Sequence, residues 1–524
     1  MSTVETEDSP RLLRSSATVS LFTMLSRVMG LARDTVVARY IGAGLDADVF
    51  NISFALSNFF RRLFAEGAFS QAFVPVLAEY KTNGSRAAAK EFVDRIAGCL
   101  GTSLFLLTSL AVIGAPAVAA VYAFGFLDDE EKFGLTVRFI RITFPYLFLI
   151  SLTGLAGAIL NSYGRFAVPA ITPVLLNITL IIAAVVISPL MDPPALALAW
   201  GVLISGVVQL LFQLPFLMRL QMMPKPVMDW RHPGVRKVLF LMLPAMFGVS
   251  VSQINLLLDS ILATLLPTGS PTWLKFSDRM SELPLGVFAI AIATVILPSL
   301  SRLYSDKKVD QFSKTLSWAL RLVFLIGIPA SVALLILAEP ILATLFQYGK
   351  WTPRDTAMAS LSMRAYAIGL LAFMLIKVLA PGFFARQNTK TPMKIGVVAM
   401  VSNMVMNIVF VFPLKSIDIG HMGLALATSL AAFINAGLLF RYLRKHGAYH
   451  PQAGWLLFWS KLAVAGIVMA IVLLTLGLQW NSWDAWQWYQ RGFYLSVICI
   501  AGMGAYIGTL ALLGFRARHF YPPR

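Results

Sequence analysis

Apolar runs of twenty or so residues recur along this chain from Thr18 to Phe515. A helix rises 1.5 Å per residue, so about twenty such residues cross the roughly 30 Å hydrocarbon core of a bilayer. No stretch between the runs is long enough for an aqueous domain. Composition agrees, with 58% of the 524 residues hydrophobic and 13% charged, against about 45–50% and about 25% in soluble domains. The spans read as roughly 18–40, 47–79, 93–123, 134–161, 167–189, 195–218, 236–265, 273–303, 313–345, 356–384, 392–412, 420–443, 456–478 and 490–514. The expected fold class is therefore an all-α polytopic membrane protein of about 14 transmembrane helices. Met1 to Ser20 is polar and lacks an apolar core with a small-residue cleavage site, so the first helix is expected to stay in the mature protein.

The net charge of +18 would suggest nucleic acid in a soluble protein. Here Lys and Arg gather in alternate connectors: Lys81, Arg86 and Lys90; Lys225, Arg231, Arg236 and Lys237; Lys307, Lys308 and Lys314; Arg386, Lys390 and Lys394; Arg441, Arg444 and Lys445. The intervening connectors are neutral or acidic, as at Asp128-Asp129-Glu130-Glu131. This positive-inside bias puts the basic connectors and both termini in the cytoplasm, and a basic face towards anionic lipid explains the charge without nucleic acid. Cys99 and Cys499 lie in separate apolar helices and read as two buried free thiols.

An internal repeat is visible. Gln71 to Leu77 resembles Thr294 to Leu300, and Arg165 to Pro169 matches Asn388 to Pro392. Pro75 and Pro298, Pro169 and Pro392, and Arg141 and Arg364 all share a shift of 223 residues. The chain then divides into 1–222 (N-lobe, helices 1–6), 223–445 (C-lobe, helices 7–12) and 446–524 (helices 13–14 and tail). Six helices per copy is an even number, so both copies enter the membrane the same way round. Two pseudo-symmetric six-helix lobes related by an axis along the membrane normal are expected, with the substrate path between them.

Three helices carry charge that does not belong in lipid. The first contains Arg27, Arg33 and Asp34; the second Arg61, Arg62 and Glu66, with Asp48 at its outer end; the eighth Asp278, Arg279 and Glu282. An ionised side chain at mid-bilayer costs about 2.5–3.5 kcal/mol, so the nine on the inner parts of these helices would cost on the order of 25 kcal/mol facing lipid. They must face one another or water. Asp48, Asn51, Asn58, Arg62 and Glu66 recur at three-, four- and seven-residue steps, a polar stripe on an apolar rod. Asp278 and Glu282 are four apart and need cations nearby. Arginine is in surplus on these helices, and its planar donor fork suits phosphate. Buried pairs such as Arg33–Asp34 or Arg62–Glu66, locking helix to helix, are the competing reading. Lys377 is a further embedded cation.

At these residues the sequence becomes recognisable. Ser26 to Asp34 and Asn58 to Pro75 resemble the lipid II flippase family (MurJ, also called MviN), as do Phe346 to Lys350 and Lys377 to Gln387. The resemblance covers essentially the whole chain. It implies membership of the multidrug/oligosaccharidyl-lipid/polysaccharide exporter superfamily, a V-shaped two-lobe fold and an alternating-access cycle. The implied substrate is lipid II, undecaprenyl-pyrophosphate bearing the peptidoglycan disaccharide-pentapeptide, carried from cytoplasm to periplasm across the bacterial inner membrane. The family's cavity arginines match Arg27, Arg33, Arg61 and Arg279, and its important acids match Asp34, Asp48 and Glu66. The last two helices resemble those that groove the polyprenyl tail. Some members bind sodium, and the similar positions are Asp259, Asn403, Asn407 and Thr428, with an amide at Asn407 where some members have a carboxylate. A sodium site and an interhelical hydrogen-bond cluster both remain open there. No cofactor is required on this reading, with sodium or proton coupling as options. Partners are lipid II and membrane lipids, with cell-wall synthesis proteins as an option, and the monomer is the expected working unit.

Enzymatic alternatives lack their chemistry. Gly42-Ala43-Gly44 opens no βαβ unit, no phosphate-binding G-x-x-x-x-G-K-[ST] loop exists, and Asp128 to Glu131 reads as a solvated connector. The Trp480, Trp483, Trp486 and Trp488 cluster reads as an interfacial belt. The alternative function is a cation-coupled exporter of another polyprenyl-linked glycan or of drugs, whose cavity should favour carboxylates over arginines.

Overall fold

The computed structural model describes residues 8–63, 69–477, 483 and 485–516, which form helices joined by short turns with no β-strand among them. Two compact units result. The first reaches Gly269 and includes Tyr348–Trp351. It contains α1 (Asp8–Tyr40), α2 (Leu45–Arg61), α3 (Phe69–Asn83), α4 (Arg86–Ile113), α5 (Ala115–Tyr122), α6 (Glu130–Thr143), α7 (Tyr146–Ser162), α8 (Ala167–Ile182), α9 (Leu196–Arg219) and α10 (Pro233–Ala263). The second comprises Ser270–Gln347 and the chain from Thr352. It contains α11 (Ser270–Pro284), α12 (Ile290–Ser305), α13 (Val309–Ile336), α14 (Ala338–Phe346), α15 (Pro353–Phe384), α16 (Lys390–Lys415), α17 (Gly420–Lys445), α18 (Trp455–Gly477) and α19 (Trp488–Leu512).

Among the described residues, 11 helical stretches are long and apolar enough to cross a membrane, as a multi-pass membrane protein requires. The other three spans read from the sequence fall on α1, on α2 with α3, and on α10. In α1 and α2 the intramembrane charges themselves dilute the apolar run. Helix boundaries repeat with the shift seen in the sequence: Arg86 to Val309, Ile113 to Ile336, Ala115 to Ala338, Glu130 to Pro353 and Ala167 to Lys390 are each 223 residues. Local sequence has thus been copied together with its starts and stops.

Those starts have ordinary chemical causes. Ser85 Oγ accepts from Ala88 N ahead of α4, and Thr352 with Asp355 forms a reciprocal capping box ahead of α15. Asp129 accepts from Lys132 N at the start of α6, and that bond holds its carboxyl below the usual carboxylate range. Within the first unit, Lys350 N donates to Arg39 O at 2.9 Å. Gly349 sits at φ +62° there, where a Cβ would lie 2.3 Å from that carbonyl, so only glycine fits.

The connector before α10 is strapped to α4. Lys225 N donates to Asp94 Oδ1 at 2.6 Å and Val227 N to Asp94 O at 3.1 Å, while Arg95 pairs with Asp229. Gly98 has no side chain because Val227 backbone crosses it, 2.2 Å from where a Cβ would be. His232 caps α10, its Nδ1 accepting from Gly234 N at 3.2 Å, with its ring near Tyr80 and Phe92. Burial, then the Arg95 charge, push the His232 pKa below its ordinary 6.5. The fold favours the neutral ring, so stability is complete above about pH 6.5 and falls as the pH drops towards the depressed value. With the intrinsic pH dependence of exchange divided out, protection of the 225–236 amides is expected to fall below pH 6, and His232→Asn, which caps without titrating, should flatten that response. An identical pH profile in the variant would refute the assignment.

In the second unit Arg491, 6% exposed, opens α19 and donates to four backbone carbonyls: Trp483, Trp486, Ala343 and Gln347. Two expectations are corrected by packing. Trp483 is a core residue, 3% exposed, donating to Thr344 Oγ1, and is not part of an interfacial belt; Trp480 lies outside the described residues. Both cysteines are free, yet only Cys99 is buried. Cys499 occupies the outward face of α19, since an apolar helix in lipid need not bury its whole circumference.

Candidate functional site

On α1, Gly30, Asp34 and Ala38 are buried at four-residue spacing where α1 packs on α8. The Arg33 guanidinium donates to Asp34 Oδ1 from Nε at 2.9 Å and Nη2 at 2.5 Å. Its Nη1 donates to Asn177 Oδ1 of α8 at 3.1 Å, and Asn177 Nδ2 returns a bond to Ser26 O at 3.1 Å. Four groups close a polar clasp between α1 and α8, so Arg33 has the helix-locking geometry. Sequence reading missed Asn177; its signal was a lone amide in the apolar run of α8. Arg27, one turn and more towards the N-terminus, is half-buried and has neither hydrogen bond nor ion pair among the described residues.

The polar stripe of α2 is partly legible in burial. Asn51 and Asn58 are half-buried and Arg62 exposed, while Val49, Phe50, Ile52, Ser53, Leu56 and Ser57 pack inward. Arg61 Nε donates to Asn58 Oδ1 at 3.0 Å. Asp48 departs from the stripe: it is buried, and its Oδ2 accepts from Gly269 N at 2.5 Å, a structural cap on the end of the first unit. Glu66 lies outside the described residues.

In the second unit α11 divides cleanly. Trp273, Phe276, Ser277, Met280 and Ser281 are buried at three- and four-residue steps. Trp273 Nε1 donates to Asp355 Oδ1 and Ser277 Oγ to Ala359 O, fixing this face on α15. The opposite face carries Lys275, Asp278, Arg279 and Glu282 at the same spacing. Arg279 Nη1 and Glu282 Oε2 are 3.8 Å apart with 32% and 51% of their side chains exposed. Both side chains are within reach of solvent. Lys377 is exposed on α15.

The amide cluster is also built in this unit. Asn403 and Asn407 are buried one turn apart on α16, and Asn403 Nδ2 donates to Thr428 Oγ1 of α17 at 3.2 Å. The buried Asn403 Oδ1 has no hydrogen-bond partner, the kind of oxygen an alkali cation takes. Asp259 sits on α10, in the first unit. Among the described residues no three His, Cys, Asp or Glu side chains gather as a metal site.

The family model described as lipid II flippase MurJ matches residues 37–491. The chain belongs to that family. A relative named probable lipid II flippase MurJ, from Vibrio cholerae, is 48% identical over 97% of this chain and 98% of its own length. Another of that name from Haemophilus influenzae is 45% identical over 95% and 99%. The Burkholderia cenocepacia relative, named lipid II flippase MurJ, is 42% identical over 97% and 99%. A solved structure of a lipid II flippase MurJ in an inward closed conformation matches with a TM-score of 0.78 at 25% identity, covering 94% of this chain and 98% of that one. An inward-facing multidrug transporter of the MATE family shares the fold, with a TM-score of 0.67 at 16% identity over 82% and 98%. The family is one of transporters, not enzymes.

Proposed function

We propose that the chain flips lipid II from the cytoplasmic to the periplasmic leaflet of the bacterial inner membrane by alternating access. Arg27, Arg61, Arg62, Arg279 and Lys377 supply cations to the cavity that takes the pyrophosphate, with Arg33, Asp34, Asp48, Glu66, Asp278 and Glu282 setting its local charge. The carrying observation is α11, the first part of the span Ser270–Ser305: it spends one face on packing and carries Arg279 and Glu282, both partly exposed and 3.8 Å apart, on the other. A partly exposed guanidinium on a face not used for packing can present its donor fork to a diphosphate, and the polyprenyl tail stays in lipid so that only the head group needs a wet path. The close relatives' names support the same substrate.

In this reading all fourteen spans cross, both termini are cytoplasmic, and the monomer suffices. The divisions at 222/223 and 445/446 mark the duplication, two six-helix lobes with α18 and α19 appended. Sodium at Asn403, Asn407 and Thr428 with Asp259, or protons, would bias the cycle. Membrane potential adds about 2.3 kcal/mol per charge per 100 mV, favouring outward movement of an anion. Depletion in cells is expected to accumulate lipid-linked precursor in the cytoplasmic leaflet, read by its protection from an externally added head-group-cleaving enzyme. Unchanged accessibility after depletion would overturn the proposal.

A further inference from the structure

The duplication sets two stretches of helix side by side for comparison. In α4 the residues Glu91, Asp94 and Gly98 lie on the face covered by the protein's own 225–231 connector, and the charges there are neutralised internally. The residues 223 positions later, in α13, are Lys314, Ser317 and Arg321. Two acids have become a lysine and a serine, and the glycine that lets the connector pass has become an arginine. In place of a covered face there is a cavity of about 300 Å³, bounded by Lys314 to Leu325 of α13, the start of α18 and the residues just after α19.

Three cations line it, Lys314, Arg321 and Lys461, and no carboxylate does. None of the three forms a salt bridge among the described residues. Arg321 is held by cation–π contacts, 5.2 Å from the Trp455 ring and 5.8 Å from that of Phe458. One Nη2 bond to Ala453 O, at 3.3 Å, adds to them. Its buried Nε has no hydrogen-bond partner. A guanidinium fixed by ring faces keeps its donors for something else. The remaining walls are apolar: Trp318, Leu457 and Phe515 line the cavity, and Leu457 is 62% exposed, continuing onto surface that suits acyl chains. The connectors at this end carry Lys307, Lys308, Arg444 and Lys445, which the charge bias assigns to the cytoplasmic side.

We propose that this cavity binds the phosphate headgroup of an anionic phospholipid of the cytoplasmic leaflet. Three cations beside an apolar wall that continues onto exposed apolar surface fit an amphiphile better than a free anion. None of the charged residues proposed for the precursor's head group lines this cavity, and although α18 and α19 also resemble the helices of the tail groove, a direct binding measurement does not depend on transport. Delipidated full-length protein would be titrated with short-chain phosphatidylglycerol, with short-chain phosphatidylcholine and with inorganic phosphate, counting bound molecules by native mass spectrometry. Phosphatidylglycerol is expected to bind most tightly. Each cation near a membrane surface contributes roughly a five-fold factor, so Arg321→Gln with Lys461→Gln should weaken it about 30-fold. Lys314→Gln with Lys461→Gln, which spares the packed Arg321, should do nearly the same in protein of unchanged melting temperature. Undiminished binding in the second pair would overturn the site. Inorganic phosphate binding as tightly as phosphatidylglycerol would overturn the lipid and leave a soluble anion.

Discussion

Arg279→Ala is expected to cut outward movement of the lipid-linked precursor about a hundredfold while leaving the amount of inserted protein unchanged. One bidentate, charge-assisted contact to a phosphate is worth about 1.5–3 kcal/mol, and more where water is excluded. Arg279 sits on the face of α11 opposite the residues packed on α15, 3.8 Å from Glu282 and with 32% of its side chain exposed. Removing it therefore opens no hole in the second unit. Arg279→Lys should retain the charge and lose the fork, giving an intermediate rate. A reconstituted assay scoring labelled precursor by leaflet, beside a melting curve, reads both. A fully active alanine variant would refute the assigned contact. Arg33 is a poorer test of the same idea. Its removal takes two bonds from the buried Asp34 and one from Asn177, so lost transport there would report a broken clasp.

Gly369→Ala is expected to destabilise the second unit by about 2–3 kcal/mol, although alanine is the better helix former. Gly369 is the point where α15 meets α17: a Cβ would fall 2.4 Å from Ser429 Oγ and 2.7 Å from its Cα. The Ser429 hydroxyl also donates to Ala365 O at 2.7 Å, so the contact cannot widen without losing a bond. In lipid there is little hydrophobic drive between helices, and close backbone approach through small residues supplies the packing. Gly504→Ala on α19, where nothing lies within 4 Å, should by contrast leave the melting temperature level or raise it. Two identical substitutions moving in opposite directions would separate packing from propensity. Equal effects would sink the packing account.

Much of this was legible in the chain. The apolar runs set helix number and type, because lipid admits few other solutions. The 223-residue shift found at two pairs of prolines and one pair of arginines reappears in helix starts from Arg86 to Ala167. The charged helices were legible as anomalies, since charge in an apolar run has so few explanations. Their partners were not. Asn177 closes the clasp on Arg33 from 144 residues away, and Asp48 turns to Gly269 across 221. Periodicity reports which face a residue occupies, but not what stands opposite it, so a stripe of polar residues could not be divided into those that lock helices and those left open.

Arg491 has a mechanical consequence. A permanently ionised group spread over the carbonyls that end α14 and those that precede α19 cannot be released cheaply, because at 6% exposure it would lose them without gaining solvent. Short α14 and long α19 are riveted, and any swing of the terminal helices must drag that stub along as a lever. Bending must then happen elsewhere.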